Sequence, residues 1–269
     1  MRLKQALLTG VLLLSSAGVF AADLETYYTQ ANQYLSKGEF VKAIAAYTEV
    51  IKRDPNQADA YFNRAGAYSR LKKYTEALAD YSKAIEQVPT DGEAYGNRGL
   101  IYTTLGKYTQ ALEDFNLAVQ LLPDDAVQKH NRAVVFQHLN QHEEALADFN
   151  AALKMDAQYF KAYSNRARTL IALHKYAQAL DDLNQALKGD AKDAQSWFRR
   201  GQVYFALQKY SPAIQDYTQA LKLSPGMSAA WYSRGTAWMM LKNCPKAQAD
   251  FAQACKHGDA QACKAKCEL

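Results

Sequence analysis

The chain has 269 residues, 49% of them hydrophobic and 22% charged, with a formal charge of +5. Loss of a leader holding Arg2 and Lys4 would leave a mature charge of about +3. So small an excess, with basic residues scattered among acids instead of gathered in a stripe, excludes a nucleic-acid footprint, and the composition suits a chain that buries a large apolar core.

Residues 1–21 read as a secretory signal peptide. Arg2 and Lys4 supply the basic start, Leu7 to Leu14 the apolar stretch, and Val19-Phe20-Ala21 the small-residue cleavage pattern, with cutting after Ala21 or, alternatively, Ala22. The apolar run is about a dozen residues, against the roughly 20 that a membrane-spanning helix needs. The expectation is therefore export to the periplasm or medium, with no membrane insertion once the leader is removed.

After the leader the chain repeats itself. Arg64, Arg98, Arg132, Arg166, Arg200 and Arg234 follow one another at 34 residues, and Asp80, Asp114, Asp148, Asp182, Asp216 and Asp250 keep the same beat. A 34-residue period is that of a two-helix solenoid repeat, in which each hairpin covers the apolar face of its neighbour. The blocks run 24–57, 58–91, 92–125, 126–159, 160–193, 194–227 and 228–261, leaving 262–269 as a closing segment. In the first helix of every block but the fourth, which has Lys129, an aromatic at position four (Tyr27, Tyr61, Tyr95, Tyr163, Trp197, Trp231), a small residue at position eight and a third apolar residue at position eleven share one face. The second helix carries Ala43, Ala77, Ala111, Ala145, Ala179, Ala213 and Ala247, each followed four residues later by Tyr, Phe or Leu. Gly38 and Gly106 mark the turn inside a hairpin, and Pro55, Pro89, Pro123 and Pro225 stop the second helix.

These residues resemble the tetratricopeptide repeat over all seven blocks, with departures at Lys129, Ala157, Ala191 and Asp259. The resemblance implies an all-α fold, a right-handed α-solenoid of seven two-helix repeats closed by a short C-terminal capping helix. It also implies a non-catalytic scaffold or adaptor that holds a protein or an extended peptide in a groove lined by the first helices. The alternative is a structural subunit of an envelope assembly that works through its outer face and ends.

Position six of the first helix reads Asn63, Asn97, Asn131, Asn165 and then Arg199. The asparagines resemble the ladder of the tetratricopeptide superhelix in O-linked N-acetylglucosamine transferase. An amide both donates and accepts, so it can pair with peptide backbone whatever the side chains. Glu25, Asp59 and Glu93 give the first repeats a polar groove, whereas Phe198, Phe205, Tyr232, Met239 and Met240 give the last ones an apolar groove, the expected anchor for a partner. Of the basic residues that clamp a terminal carboxylate in chaperone-binding relatives, Arg199 alone is matched.

Arg and Asp at positions seven and twenty-three can meet within a hairpin or between successive hairpins; Gln30 and Ala46 in the first block favour pairing within. All four cysteines, Cys244, Cys255, Cys263 and Cys267, lie at the C-terminus, which in an exported chain reads as disulfides. The eight-residue step from Cys255 to Cys263 resembles that of cysteine-rich secreted relatives of the repeat, which implies that pair and leaves Cys244 with Cys267. No phosphate loop, nucleophile elbow or His-Glu-x-x-His pattern occurs, and His130, His138 and His142 read as polar surface. Neither a cofactor, a resident metal nor catalysis is expected.

Overall fold

The computed structural model describes residues 24–267; the leader assigned to 1–21 lies outside them. Among the described residues the chain is helical throughout. The helices are α1 (24–36), α2 (Phe40–Arg53), α3 (Ala58–Arg70), α4 (Tyr74–Gln87), α5 (Gly92–Thr104), α6 (Tyr108–Leu121), α7 (Ala126–His138), α8 (His142–Met155), α9 (Phe160–Ala172), α10 (Tyr176–Gly189), α11 (Ala194–Ala206), α12 (Tyr210–Leu223), α13 (Ser228–Met240) and α14 (Cys244–Lys256). No helix among the described residues is long and apolar enough to cross a membrane.

The chain divides after Asp124 into two compact units, the first with hairpins α1/α2, α3/α4 and α5/α6, the second with α7/α8, α9/α10, α11/α12 and α13/α14. In the first unit, α2 packs on α3 and α4 on α5; in the second, α8 packs on α9, α10 on α11 and α12 on α13. Each hairpin thus covers its neighbour inside its unit, as a 34-residue period requires. The cores are narrow and built from alanine against rings: Ala65, Ala77, Tyr81 and Tyr95 in the first unit, and Ala213, Tyr217, Ala220 and Ala237 in the second. Each ring removed from water contributes on the order of 1.5–3 kcal/mol.

Every hairpin turns through one residue in the left-handed region. Gly38 and Gly106 serve there, but so do Lys72, Asn140, His174, Gln208 and Lys242, with φ between 56° and 59°. The turn is held by its hydrogen bonds, as in Lys209 N–H to Tyr204 O at 2.8 Å, so the missing glycine signal in five repeats did not cost the turn.

The arginine and aspartate ladders pair within the hairpin, as Gln30 and Ala46 in the first block favoured, and the guanidinium adds a bond to the preceding hairpin. Arg64 Nε and Nη2 donate to Asp80 Oδ2 and Oδ1 at 2.7 and 2.8 Å within the hairpin, while Nη1 reaches back 2.9 Å to Thr48 Oγ1 of the preceding one. The same fork holds Arg98, Arg166, Arg200 and Arg234 to their aspartates, with Ser82, Asn150, Asn184 and Thr218 as the reach-back acceptors. The planar guanidinium also lies over a position-four ring, 4.6 Å from Trp197 for Arg200 and 4.8 Å from Trp231 for Arg234.

At the C-terminus, Cys255 is bonded to Cys263 and Cys244 to Cys267. The short closing helix is a single 3₁₀ turn, Ala262–Lys264, started by Asp259 Oδ1 accepting from the N–H groups of Gln261 and Ala262. Beyond Lys264 the backbone turns extended (Ala265, ψ 131°), and at about 3.3 Å per residue it covers a distance that a helix rising 1.5 Å per residue would not.

Candidate functional site

In five of the seven repeats position five of the first helix carries a ring that is at least partly covered. It turns toward the ring that the second helix presents: Tyr28 meets Tyr47, Phe62 meets Tyr81, His130 meets Phe149, Phe198 meets Tyr217 and Tyr232 meets Phe251, with centroids 5.5 to 6.0 Å apart. Phe198 is accordingly 7% exposed, and the expectation that it offers an open anchor is corrected. Its neighbours on the stripe remain open. In the second unit, Gln202 and Phe205 of α11, Tyr232, Ser233 and Thr236 of α13 and the Tyr217 ring below line a cavity of about 310 Å³. Phe205 and Tyr232 are half-buried at its walls, Met239 is half-buried, and Met240 at the end of α13 is 48% exposed. An aromatic wall with a few hydroxyls and an amide accepts an apolar side chain and leaves the backbone beside it something to bond.

The four asparagines fall into two settings. In the first unit Asn63 and Asn97 line one cavity of about 840 Å³ together with Phe62, Tyr74, Tyr81 and Leu100. Asn63 Nδ2 lies 3.4 Å from the Tyr28 hydroxyl, a long contact that leaves most of the amide available. In the second unit Asn131 and Asn165 converge on His130 instead. That ring, expected at the surface, is 2% exposed. Asn165 Nδ2 donates to His130 Nε2 at 2.9 Å, and Nδ1 has Tyr159 Oη at 3.1 Å and Asn131 Oδ1 at 3.2 Å. Because Nε2 accepts, the proton sits on Nδ1. Burial, reinforced by the charge of Lys161 and opposed by Asn131, holds the imidazole pKa down to about 4, so it is neutral at physiological pH. A signal was present in the sequence: position five is aromatic in four other repeats, and His130 occupies an aromatic slot.

Beside it lies a second polar cluster. Gln137, 7% exposed, donates through Nε2 to Asn165 O at 2.6 Å and Thr169 Oγ1 at 2.5 Å, and its Oε1 accepts from Arg168 Nη2. Arg199 Nη1 donates to Ser164 Oγ at 3.1 Å. No group of three or more His, Cys, Asp or Glu side chains among the described residues could hold a metal ion.

Sequence profiles described as the tetratricopeptide repeat match residues 28–92, 92–125, 129–159 and 194–227. The chain belongs to the tetratricopeptide-repeat family. No curated protein matches it. Among solved structures, this tetratricopeptide-repeat chain is similar to a tetratricopeptide repeat protein from Parabacteroides merdae (21% identity, TM-score 0.68, covering 90% of this chain and 96% of the other). It is similar also to YrrB, described as having an unusual peptide-binding site (22%, 0.61, 70% and 97%), and to PilF of Pseudomonas aeruginosa (19%, 0.68, 77% and 94%). At these identities the likeness is one of fold. A tetratricopeptide-repeat fold is a scaffold for protein–protein interaction, and its stacked first helices are where the cavities above lie.

Proposed function

We propose that this tetratricopeptide-repeat protein is an adaptor of the bacterial cell envelope that holds an extended segment of a partner protein against its first helices. The observation that carries this reading is the cavity bounded by Phe205 and Tyr232, two half-buried rings with Gln202, Ser233 and Thr236 around them. Such a recess takes an apolar side chain of the partner as anchor. In the first unit, taken by itself, Asn63 and Asn97 offer amides to peptide backbone from a cavity of their own. Export through the leader at residues 1–21, cleaved before the first repeat, agrees with four cysteines that are all disulfide-bonded among the described residues, since such bonds persist in oxidising compartments. The seven-block division from residue 24 to 261 and the closing segment 262–269 belong to this reading.

The test is capture of partner from an envelope extract by tagged mature protein. Phe205→Ala with Tyr232→Ala removes both walls, and capture should fall by at least about 30-fold, the equivalent of one 2 kcal/mol hot spot. Capture that survives this change and is lost only on substitution of exposed second-helix residues would favour the structural-subunit alternative.

A further inference from the structure

Tyrosine stands at the ring position of the second helix in three repeats, as Tyr47, Tyr81 and Tyr217, and all three are buried. Two of the hydroxyls are satisfied within the protein: Tyr47 Oη donates to Asn32 Oδ1 at 2.5 Å, and the Tyr217 hydroxyl is hydrogen-bonded to Ser233. The third is not. Tyr81 is 4% exposed and its ring meets Phe62 edge-on at 5.5 Å, yet among the described residues its hydroxyl has no hydrogen-bond partner. Burial, opposed by Arg70 and reinforced by Asp91, pushes its pKa up to about 12, so at physiological pH it is a neutral donor. A buried polar group left unpaired costs more than making its bond would gain, and native structures keep few of them.

One residue is the cause. Asn32, which receives the Tyr47 hydroxyl, stands at position nine of the first repeat, and position nine of the second is Gly66. Gly66 lies inside α3, where glycine weakens a helix, and its φ is not positive. A Cβ there would lie 3.7 Å from Tyr81 Oη, an ordinary contact, so close packing does not require the glycine either. The space that a position-nine side chain would fill is open, and it ends on the unpaired hydroxyl. It belongs to the cavity of about 840 Å³ in the first unit, which Gly66 and Tyr81 line together with Asn63, Asn97, Phe40 and Phe62. Asn97 is half-buried, and among the described residues its amide makes no hydrogen bond. The first repeat shows the group that fits such a space: a carboxamide, whose carbonyl takes the tyrosine proton.

We propose that the space over Gly66 takes the side-chain carboxamide of a glutamine or asparagine in the partner segment, its carbonyl accepting from Tyr81 Oη as Asn32 accepts from Tyr47. The ligand N–H groups then have the carbonyls of Asn63 and Asn97 as acceptors, and its methylene stem lies against Phe40 and Phe62. This rests on the adaptor reading and adds a side chain to the backbone contacts of the first unit. A carboxamide both donates and accepts, whereas a carboxylate only accepts and would lose water beside a neutral phenol; Arg70 and Lys72, which also line the cavity, are exposed.

The test uses the full mature chain with its disulfides intact. In the absence of ligand, Tyr47→Phe should lower the melting temperature by roughly 2–4 °C, because it strands Asn32, whereas Tyr81→Phe should leave it unchanged. The probe is pentaglutamine closed by acetyl and N-methylamide groups, so that its side chains hold the only primary carboxamides, titrated into isotope-labelled protein by NMR. Tyr81→Phe should weaken its binding about tenfold. Gly66→Asn, which fills the space with the protein's own carboxamide, should weaken it at least as much while the melting temperature holds or rises; should that variant fail to fold, Tyr81→Phe decides alone. Pentaserine and pentaglutamate with the same caps should each bind at least about tenfold more weakly than pentaglutamine. The proposal is overturned if Tyr81→Phe keeps the wild-type affinity or destabilises as much as Tyr47→Phe. Equal binding of pentaserine, which would assign the affinity to backbone alone, or of pentaglutamate, which would assign it to Arg70 and Lys72, also overturns it, as does tighter binding of tri-N-acetylglucosamine than of pentaglutamine. Failure of the adaptor reading looks different: partner capture survives loss of Phe205 and Tyr232 while the pentaglutamine discrimination stands.

Discussion

Replacing Asp148 by alanine removes one half of a fork whose other half stays behind. Arg132 Nε and Nη2 donate to Asp148 Oδ2 and Oδ1 at 2.7 and 2.8 Å, and the side chains are only 22% and 10% exposed. In Asp148→Ala the guanidinium of α7 keeps its place above the Phe136 ring, 5.7 Å from the centroid, but loses the charge that balanced it. Breaking a fully buried ion pair costs about 3–5 kcal/mol, and the one-fifth exposure of Arg132 lets water recover part of that, so about 2–3 kcal/mol is expected. For a unit of this size that is a fall of roughly 5–10 °C in melting temperature. The control lies on the same helix: Lys154 of α8 is exposed, and Lys154→Ala should stay within about 0.5 kcal/mol of wild type. Calorimetry on the two single variants and on Arg132→Met/Asp148→Leu completes the experiment, since replacing both partners by apolar residues should cost less than stranding one. Equal melting temperatures for Asp148→Ala and Lys154→Ala would refute the role given to the ladder.

Buried neutral His130 gives the second unit an acid sensitivity. The folded pKa of about 4 lies below the unfolded 6.5, so between those values the unfolded chain binds more protons; stability is complete above pH 6.5 and declines by up to about 3 kcal/mol as pH falls to 4. In His130→Gln this slope should vanish from denaturant titrations run across that range, whatever the variant's absolute stability. Gly201→Ala should cost roughly 1–3 kcal/mol by urea unfolding, because a Cβ there would lie 2.6 Å from Tyr217 Cε1 and 3.2 Å from Ala213 O, a ring on one side and backbone on the other. Loss of the Cys255–Cys263 bond, which closes an eight-residue step, should cost about 2.5 kcal/mol in the chain-entropy picture, and loss of Cys244–Cys267, over 23 residues, about 1 kcal/mol more. Hydrogen exchange should show the faster opening confined to α13 and α14.

The helices and their pairing were legible because a 34-residue beat repeats every core position, so that one ambiguous residue is corrected by six equivalents. Lys129 in place of an aromatic did not interrupt α7. The Arg–Asp fork was legible as a ladder, yet its third bond was not read, although Thr48, Ser82, Asn150, Asn184 and Thr218 stand in the sequence at the same beat. Phe198 was misplaced for a physical reason: positions five and six are adjacent in sequence but 100° apart around a helix, and only the second-helix ring at Tyr217 decides which of them is covered. The same ring-facing position buries His130 and so engages Asn131 and Asn165, which no property of an asparagine ladder reveals.

The claim that a partner segment lies on the first helices of the second unit is tested most directly by site-specific photocrosslinking. A photoreactive residue in place of exposed Gln202, at the mouth of the Phe205–Tyr232 recess, should crosslink a discrete partner in an envelope extract, and the crosslink should disappear with Tyr232→Ala. The same probe in place of Lys222, exposed on α12, should give none. Crosslinks from position 222 with none from position 202 would contradict the account.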